Sequence, residues 1–247
     1  MTSNNDNTNN KYWGLGATIA LSLLILLTFI ITQAVAFILY AQSQFSSHLA
    51  IDKTAFLNSL LSNGDAISIA EIFSTIFGIL ITFAFIHWHK QQSIEDYLRL
   101  YPIRLRTLIK YLILMLIVIG FMNIIATLSH HPTPQIMVDI YQSAEHPALL
   151  LFALIIGAPF FEEILFRGFL FEGLRHSSLG FIATAIITSA IWAGIHLQYG
   201  LYEIVLIFFI GLLLAYVKVK TGSLYIPIAM HSLMNFVAIV EIELNLS

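Results

Sequence analysis

The sequence predicts an all-α protein, a polytopic bundle of about seven transmembrane helices with its amino end in the cytoplasm. Three observations predict it. Of 247 residues, 58% are hydrophobic and 10% charged, against roughly 45–50% and about 25% in soluble domains; mean hydropathy is +0.86. Seven stretches reach or approach the ~20 apolar residues that cross a hydrocarbon core roughly 30 Å thick. The basic residues fall almost wholly on one side of those stretches. A net charge of −3 leaves no basic footprint for nucleic acid. The absence of cysteine excludes disulfides, thiolate metal sites and cysteine nucleophiles.

Residues 1–11, MTSNNDNTNNK, read as a short disordered tail, because they hold almost no apolar surface to bury. The first span runs from about Trp13 to Tyr40, too long for the roughly 7–15-residue apolar region of a signal peptide. Gln42–Asp65 carries Phe56, Leu57, Leu60 and Leu61 at helical spacing, the pattern of a surface amphipathic helix or of a loop helix packed on the bundle. Further spans run from about Ala66 to Trp88, Thr107 to Leu128, Pro147 to Phe171, Leu179 to Leu197, Leu201 to Val219 and Leu224 to Val240. With the amino end inside, Lys11, Lys90, Arg99, Arg104, Arg106, Lys110, Arg175, Lys218 and Lys220 are cytoplasmic, Arg167 leans that way, and only Lys53 is outside. That is the positive-inside pattern. The chain divides into the tail, an amino-terminal membrane region (12–146) and a second region (147–247) that holds the chemistry.

Polar groups inside spans are costly and therefore functional candidates. They cluster late in the chain. APFFEEILFRGFLFEGLR places Glu162, Glu163 and Arg167 in the fourth span; SAIWAGIHLQ places Trp192 and His196 in the fifth; GSLYIPIAMHSLMN places His231 and Asn235 in the seventh. Glu163 and Arg167 share a face at i, i+4 and can pair, whereas Glu162 is turned about 100° away. A carboxylate base with two histidines and an amide supplies what peptide hydrolysis needs, activated water and donors for the oxyanion. Glu162 is the candidate base, His196 a second holder of the water, and His231 with Asn235 the oxyanion donors. The same Glu162, His196 and His231 also match a zinc ligand set with water in the open position, although the HExxH spacing is absent.

Three segments together resemble a known family. EEILFR (Glu162–Arg167) matches EExxxR, WAGIH (Trp192–His196) is similar to FxxxH with Trp for Phe, and HSLMN (His231–Asn235) matches HxxxN. These are the motifs of the CPBP intramembrane proteases, the CAAX protease and bacteriocin-processing (Abi) family, and the resemblance covers about residues 147–237. It implies an integral membrane endopeptidase of the cell membrane that acts on a membrane-associated protein or peptide. Glu162, His196, His231 and Asn235 would be catalytic, Glu163, Arg167 and Trp192 supporting, and no metal is expected. Two other readings compete: a non-proteolytic immunity or regulatory protein that binds a peptide or sensor, and a transporter with a carboxylate proton relay. One geometric difficulty stands. At about 1.5 Å per residue, His196 falls roughly 26 Å from the cytoplasmic face and His231 only about 10 Å. Straight, untilted helices starting at one level would keep them apart.

Overall fold

The computed structural model describes residues 11–45 and 59–246. The predicted tail through Asn10, and Phe56, Leu57 and Lys53 of the predicted outer segment, lie outside the described residues. In chain order the helices are α1 (Leu15–Phe45), α2 (Gly64–His89), α3 (Ile94–Leu98), α4 (Leu105–Leu128), α5 (Gln135–Gln142), α6 (Pro147–Arg175), α7 (Gly180–Gly194), α8 (Leu201–Thr221) and α9 (Tyr225–Leu246). No strand occurs among the described residues. Six helices (α1, α2, α4, α6, α8 and α9) are long and apolar enough to cross a membrane. The seventh, α7, has 15 residues and extends only about 22 Å, short of the roughly 30 Å core. The predicted fifth span, Leu179 to Leu197, therefore ends early, and His196 sits in the turn beyond it.

Burial identifies the axis of the bundle. In α6, 56% of the span is buried, against 22% in α1 and 17% in α4. The outer helices turn Leu23, Leu27, Ile30, Ile117, Phe121 and Ile124 outward, which a hydrocarbon solvent rewards and water would not. Close approach to α6 is arranged by small residues. A Cβ on Gly78 would collide with the Phe161 ring, which stacks on Phe29 at 4.1 Å, so α1, α2 and α6 meet at that layer. Gly173 in turn faces Thr18 of α1.

α6 is one continuous rod with two π-wound stretches, Ala153–Gly157 and Glu163–Leu170. Pro159 has no N–H for the carbonyl four residues back and its ring crowds that carbonyl, so a local distortion just before it is expected. π-Turns are rare and concentrate at functional positions; here the second begins at Glu163.

The depth difficulty is resolved by where α9 begins. The Leu224 N–H donates to the Arg99 carbonyl at 2.9 Å, and Ser223 Oγ to the Tyr101 carbonyl at 2.7 Å. A Cβ on Gly168 would lie 2.7 Å from Leu98 Cδ2 and 3.3 Å from Leu224 Cδ2, so α3 and the start of α9 tuck against α6 well before it ends. α9 thus starts about 10 Å deeper than Arg175. His231 then comes level with Glu162, which lies about 20 Å from Arg175 along α6.

Candidate active site

Glu162 and Glu163 leave α6 on different sides, as their adjacency requires. The Glu163 side chain is fully buried, and its Oε1 accepts from Arg167 Nη1 at 2.8 Å and faces His231 Nδ1 at 3.0 Å. Arg167 is equally buried, with its guanidinium over the Trp192 ring at 4.1 Å. Ser189 and Arg167 Nη2 both crowd the space a Cβ on Gly211 would take, so that glycine lets α8 close over them. The pair and the indole form a rigid floor.

Glu162 stands on the open side, its side chain 15% exposed. Its Oε2 accepts from Trp192 Nε1 in a short hydrogen bond, and His231 Nε2 lies 4.0 Å away. His231 is thus held between the two glutamates, with Nδ1 toward Glu163 and Nε2 toward Glu162. Its ring meets Trp192 edge to face at 5.2 Å, and His196 meets the same indole edge to face at 5.5 Å. The Trp192 carbonyl, left unpaired near the end of α7, lies 2.7 Å from His196 Nδ1. A carbonyl only accepts, so Nδ1 carries the hydrogen and Nε2 keeps its lone pair when the ring is neutral. Asn235, one turn beyond His231, donates from Nδ2 to the Leu154 carbonyl at 2.8 Å, inside the first π-wound stretch.

Trp192 therefore joins the three motifs: it touches Glu162, Arg167, His231 and His196. Glu162, Glu163, Arg167, Trp192 and His231 form one contact cluster, and His196 joins it through the indole. Asn235 lies along α9 with one amide hydrogen committed to α6. Among the described residues, no three His, Asp or Glu side chains are arranged to hold a metal ion.

Two groups near this centre escaped the reading of the sequence. Glu71 of α2 is buried and accepts from two neutral donors, Gln33 Nε2 at 3.2 Å and Thr75 Oγ1 at 3.3 Å. It lies within electrostatic reach of Glu162. The signal was present: a carboxylate inside the span predicted from Ala66 to Trp88 is a candidate by the same rule that picked out Glu162. Tyr199 follows α7, stacks on His196 at 6.1 Å and donates to Met137 Sδ at 2.9 Å. Burial, with Glu162 nearby, pushes its phenol up to about 12, so it stays protonated. No spacing rule marks Tyr199, because its place depends on how early α7 stops.

The fold and this cluster define a polytopic membrane protein with a Glu–His centre inside its helical bundle. Residues 144–237 match the family model described as type II CAAX prenyl endopeptidase Rce1-like, so this region, which carries the three motifs, is similar to the CPBP family. A Bacillus subtilis (strain 168) protein called "Putative membrane peptidase YdiL" is 30% identical over 110 residues, 44% of this chain and 43% of that protein. The chain therefore spans less than half the length of that relative. No solved structure matches. The resemblance is to membrane peptidases as a family.

Proposed function

We propose that the protein is an intramembrane endopeptidase of the cell membrane, hydrolysing a peptide bond in a membrane-associated protein or peptide with a water held by Glu162 and His196 and without a metal ion. The observation that carries this reading is the position of Glu162. It is a partly open carboxylate facing His231, with an indole N–H as its hydrogen-bond partner, while the adjacent Glu163 absorbs the buried cation.

In this reading Glu162 accepts a proton from the water as its oxygen attacks the scissile carbonyl, and His196 Nε2 orients that water. The carbonyl oxygen becomes an oxyanion. His231, held at Nδ1 by Glu163, turns Nε2 to that oxygen, and Asn235 offers its uncommitted amide hydrogen. Glu162 then returns the proton to the departing amine, leaving a new carboxyl and a new amino terminus. General acid–base catalysis of this kind is worth about 10²–10⁴ in rate, and preorganised oxyanion donors a comparable factor.

The test compares the termini of membrane proteins in cells carrying the native chain or Glu162→Gln at matched protein levels. New termini made only by the native chain support proteolysis and identify substrates. Identical termini with an intact cellular phenotype would sink it in favour of a binding role. Cleavage by the purified protein should survive exhaustive chelation. Loss of cleavage that added zinc restores would overturn the metal-free part.

A further inference from the structure

The opposite end of α6 carries a second polar assembly that the peptidase reading does not use. Glu172 is fully buried and surrounded by cations: Lys218, also fully buried, in a short contact, Arg99 Nε at 3.2 Å and Arg175 Nη1 at 3.9 Å. One carboxylate therefore faces three basic side chains. Immediately beside it is a recess of about 290 Å³, whose walls include Lys11, Gln92, Asp96, Arg99, Tyr101 and His176.

Asp96 offsets only part of this charge. Its Oδ2 accepts from Ser93 Oγ at 2.9 Å and its Oδ1 from the Tyr101 hydroxyl at 2.9 Å, so both oxygens are turned to neutral donors. Counting the groups that line the recess or pair directly behind it, Lys11, Arg99, Arg175 and Lys218 stand against Asp96 and Glu172. The balance is four basic side chains to two carboxylates. His176 adds nothing negative and feels the field: burial, then Arg175 and Arg99, pushes its imidazole down to about 4.

The recess is also held in shape. Gln92 Nε2 donates to the Lys11 carbonyl at 2.6 Å. Arg99 is fixed in the left-handed region at φ 57°, and its carbonyl takes the Leu224 N–H at the deep start of α9. The His176 ring stacks on Tyr12 at 4.1 Å. Lipid-facing apolar side chains begin at Leu15, so this rim of aromatic and basic groups stands at the depth of lipid headgroups.

We propose that this recess binds a phosphate group, carried on an anionic lipid or free in solution, with Lys11 and Arg99 as its cationic ligands. Basic pockets between membrane helices recognise phosphate headgroups in this way. A bound phosphate would tie the start of α1 to α3 and, through Arg99 and Glu172, to the end of α6.

The test is native mass spectrometry of the full chain released from nanodiscs containing equal phosphatidylglycerol and phosphatidylcholine, with and without added inorganic phosphate. The native chain should retain phosphatidylglycerol over phosphatidylcholine by about fivefold or more, as one basic side chain near a headgroup contributes. Lys11→Gln, whose side chain pairs with no buried group, should reduce that preference while folding normally. Lys11→Gln with Arg99→Gln should remove it. If inorganic phosphate displaces the lipid, free phosphate shares the site; if it does not, the lipid is the ligand. Equal retention of both lipids, or a preference unchanged in Lys11→Gln and in the double variant, overturns the proposal.

Discussion

Helix α6 buries carboxylates at two levels, and they are compensated in opposite ways. Glu172 is overwhelmed by charge, with Lys218, Arg99 and Arg175 all within 4 Å. Glu162 has only a neutral indole N–H as a hydrogen-bond partner, and a histidine at 4.0 Å. Desolvating an ion costs several kcal/mol after relaxation, so the first arrangement fixes a charge and the second leaves one available to react. Glu163 makes the contrast sharper because it sits next to Glu162 yet is committed to Arg167. In the proposed mechanism these neighbours divide into a structural anion, Glu163, and a reactive one, Glu162. Arg167 arrives from the same helix, whereas Trp192 and His231 arrive from two others.

The largest effects should separate the two levels cleanly. Glu162→Gln is expected to abolish cleavage and leave the thermal midpoint nearly unchanged, because the amide still accepts from Trp192. Glu172→Gln should do the reverse, leaving Lys218 buried without an anion and destabilising the fold by about 3–5 kcal/mol. The double variant Glu172→Gln/Lys218→Met should recover part of that loss, since an apolar side chain replaces the stranded ammonium. Unfolding in detergent read alongside turnover of an identified substrate tests both. A stable Glu172→Gln protein would break the comparison.

A smaller effect tests the donor to Glu162. Trp192→Phe keeps an aromatic ring under Arg167 but removes the N–H. A hydrogen bond to a charged acceptor is worth roughly 1.5–3 kcal/mol, so kcat/KM should fall by about 10- to 150-fold while the fold persists. A loss equal to that of Glu162→Gln would mean the indole does more than hold the carboxylate.

Much of this was legible in the sequence, for reasons that also explain what was not. Membrane helices announce themselves by composition, and polar residues inside them stand out against an apolar background. Glu162, Glu163, Arg167 and His231 were found that way, Trp192 through the motif resemblance, and the five do meet. What failed was depth. Counting residues assumes that every span starts at one plane, whereas α9 begins on Gly168 and α7 stops at Gly194. Those offsets are set by tertiary contacts such as Leu224 to Arg99, which leave no local mark. Lys218 shows a related error. Its charge reads as a cytoplasmic flank, but the side chain points inward to Glu172, and no periodicity distinguishes a basic residue that snorkels from one that is paired.

The smallest effect concerns a carboxylate compensated by a partner that titrates. At the other end of the bundle, Asp65 accepts the His146 N–H at 3.0 Å, and its Oδ2 lies 2.8 Å from His146 Nδ1. The Asp65 hydrogen bond, then its charge, raises the His146 imidazole above its ordinary value. A base whose pKa rises on folding stabilises the folded state fully at pH below its ordinary range, and the contribution disappears as pH climbs through the raised value. This pair should therefore make the thermal midpoint decline slightly from mildly acidic to mildly alkaline pH, against the opposite trend expected of His176, whose imidazole folding pushes down, and His146→Gln should remove that decline. The ring is solvent-exposed, so the effect should be small and weakened further by salt. Glu172 also has an imidazole beside it, His176 Nδ1 at 3.3 Å from its Oε2, but burial and the neighbouring arginines push that ring down rather than up, so it works in the opposite direction. A decline that persists unchanged in His146→Gln would assign the pH dependence to another group and leave the Asp65 contact as a backbone anchor alone.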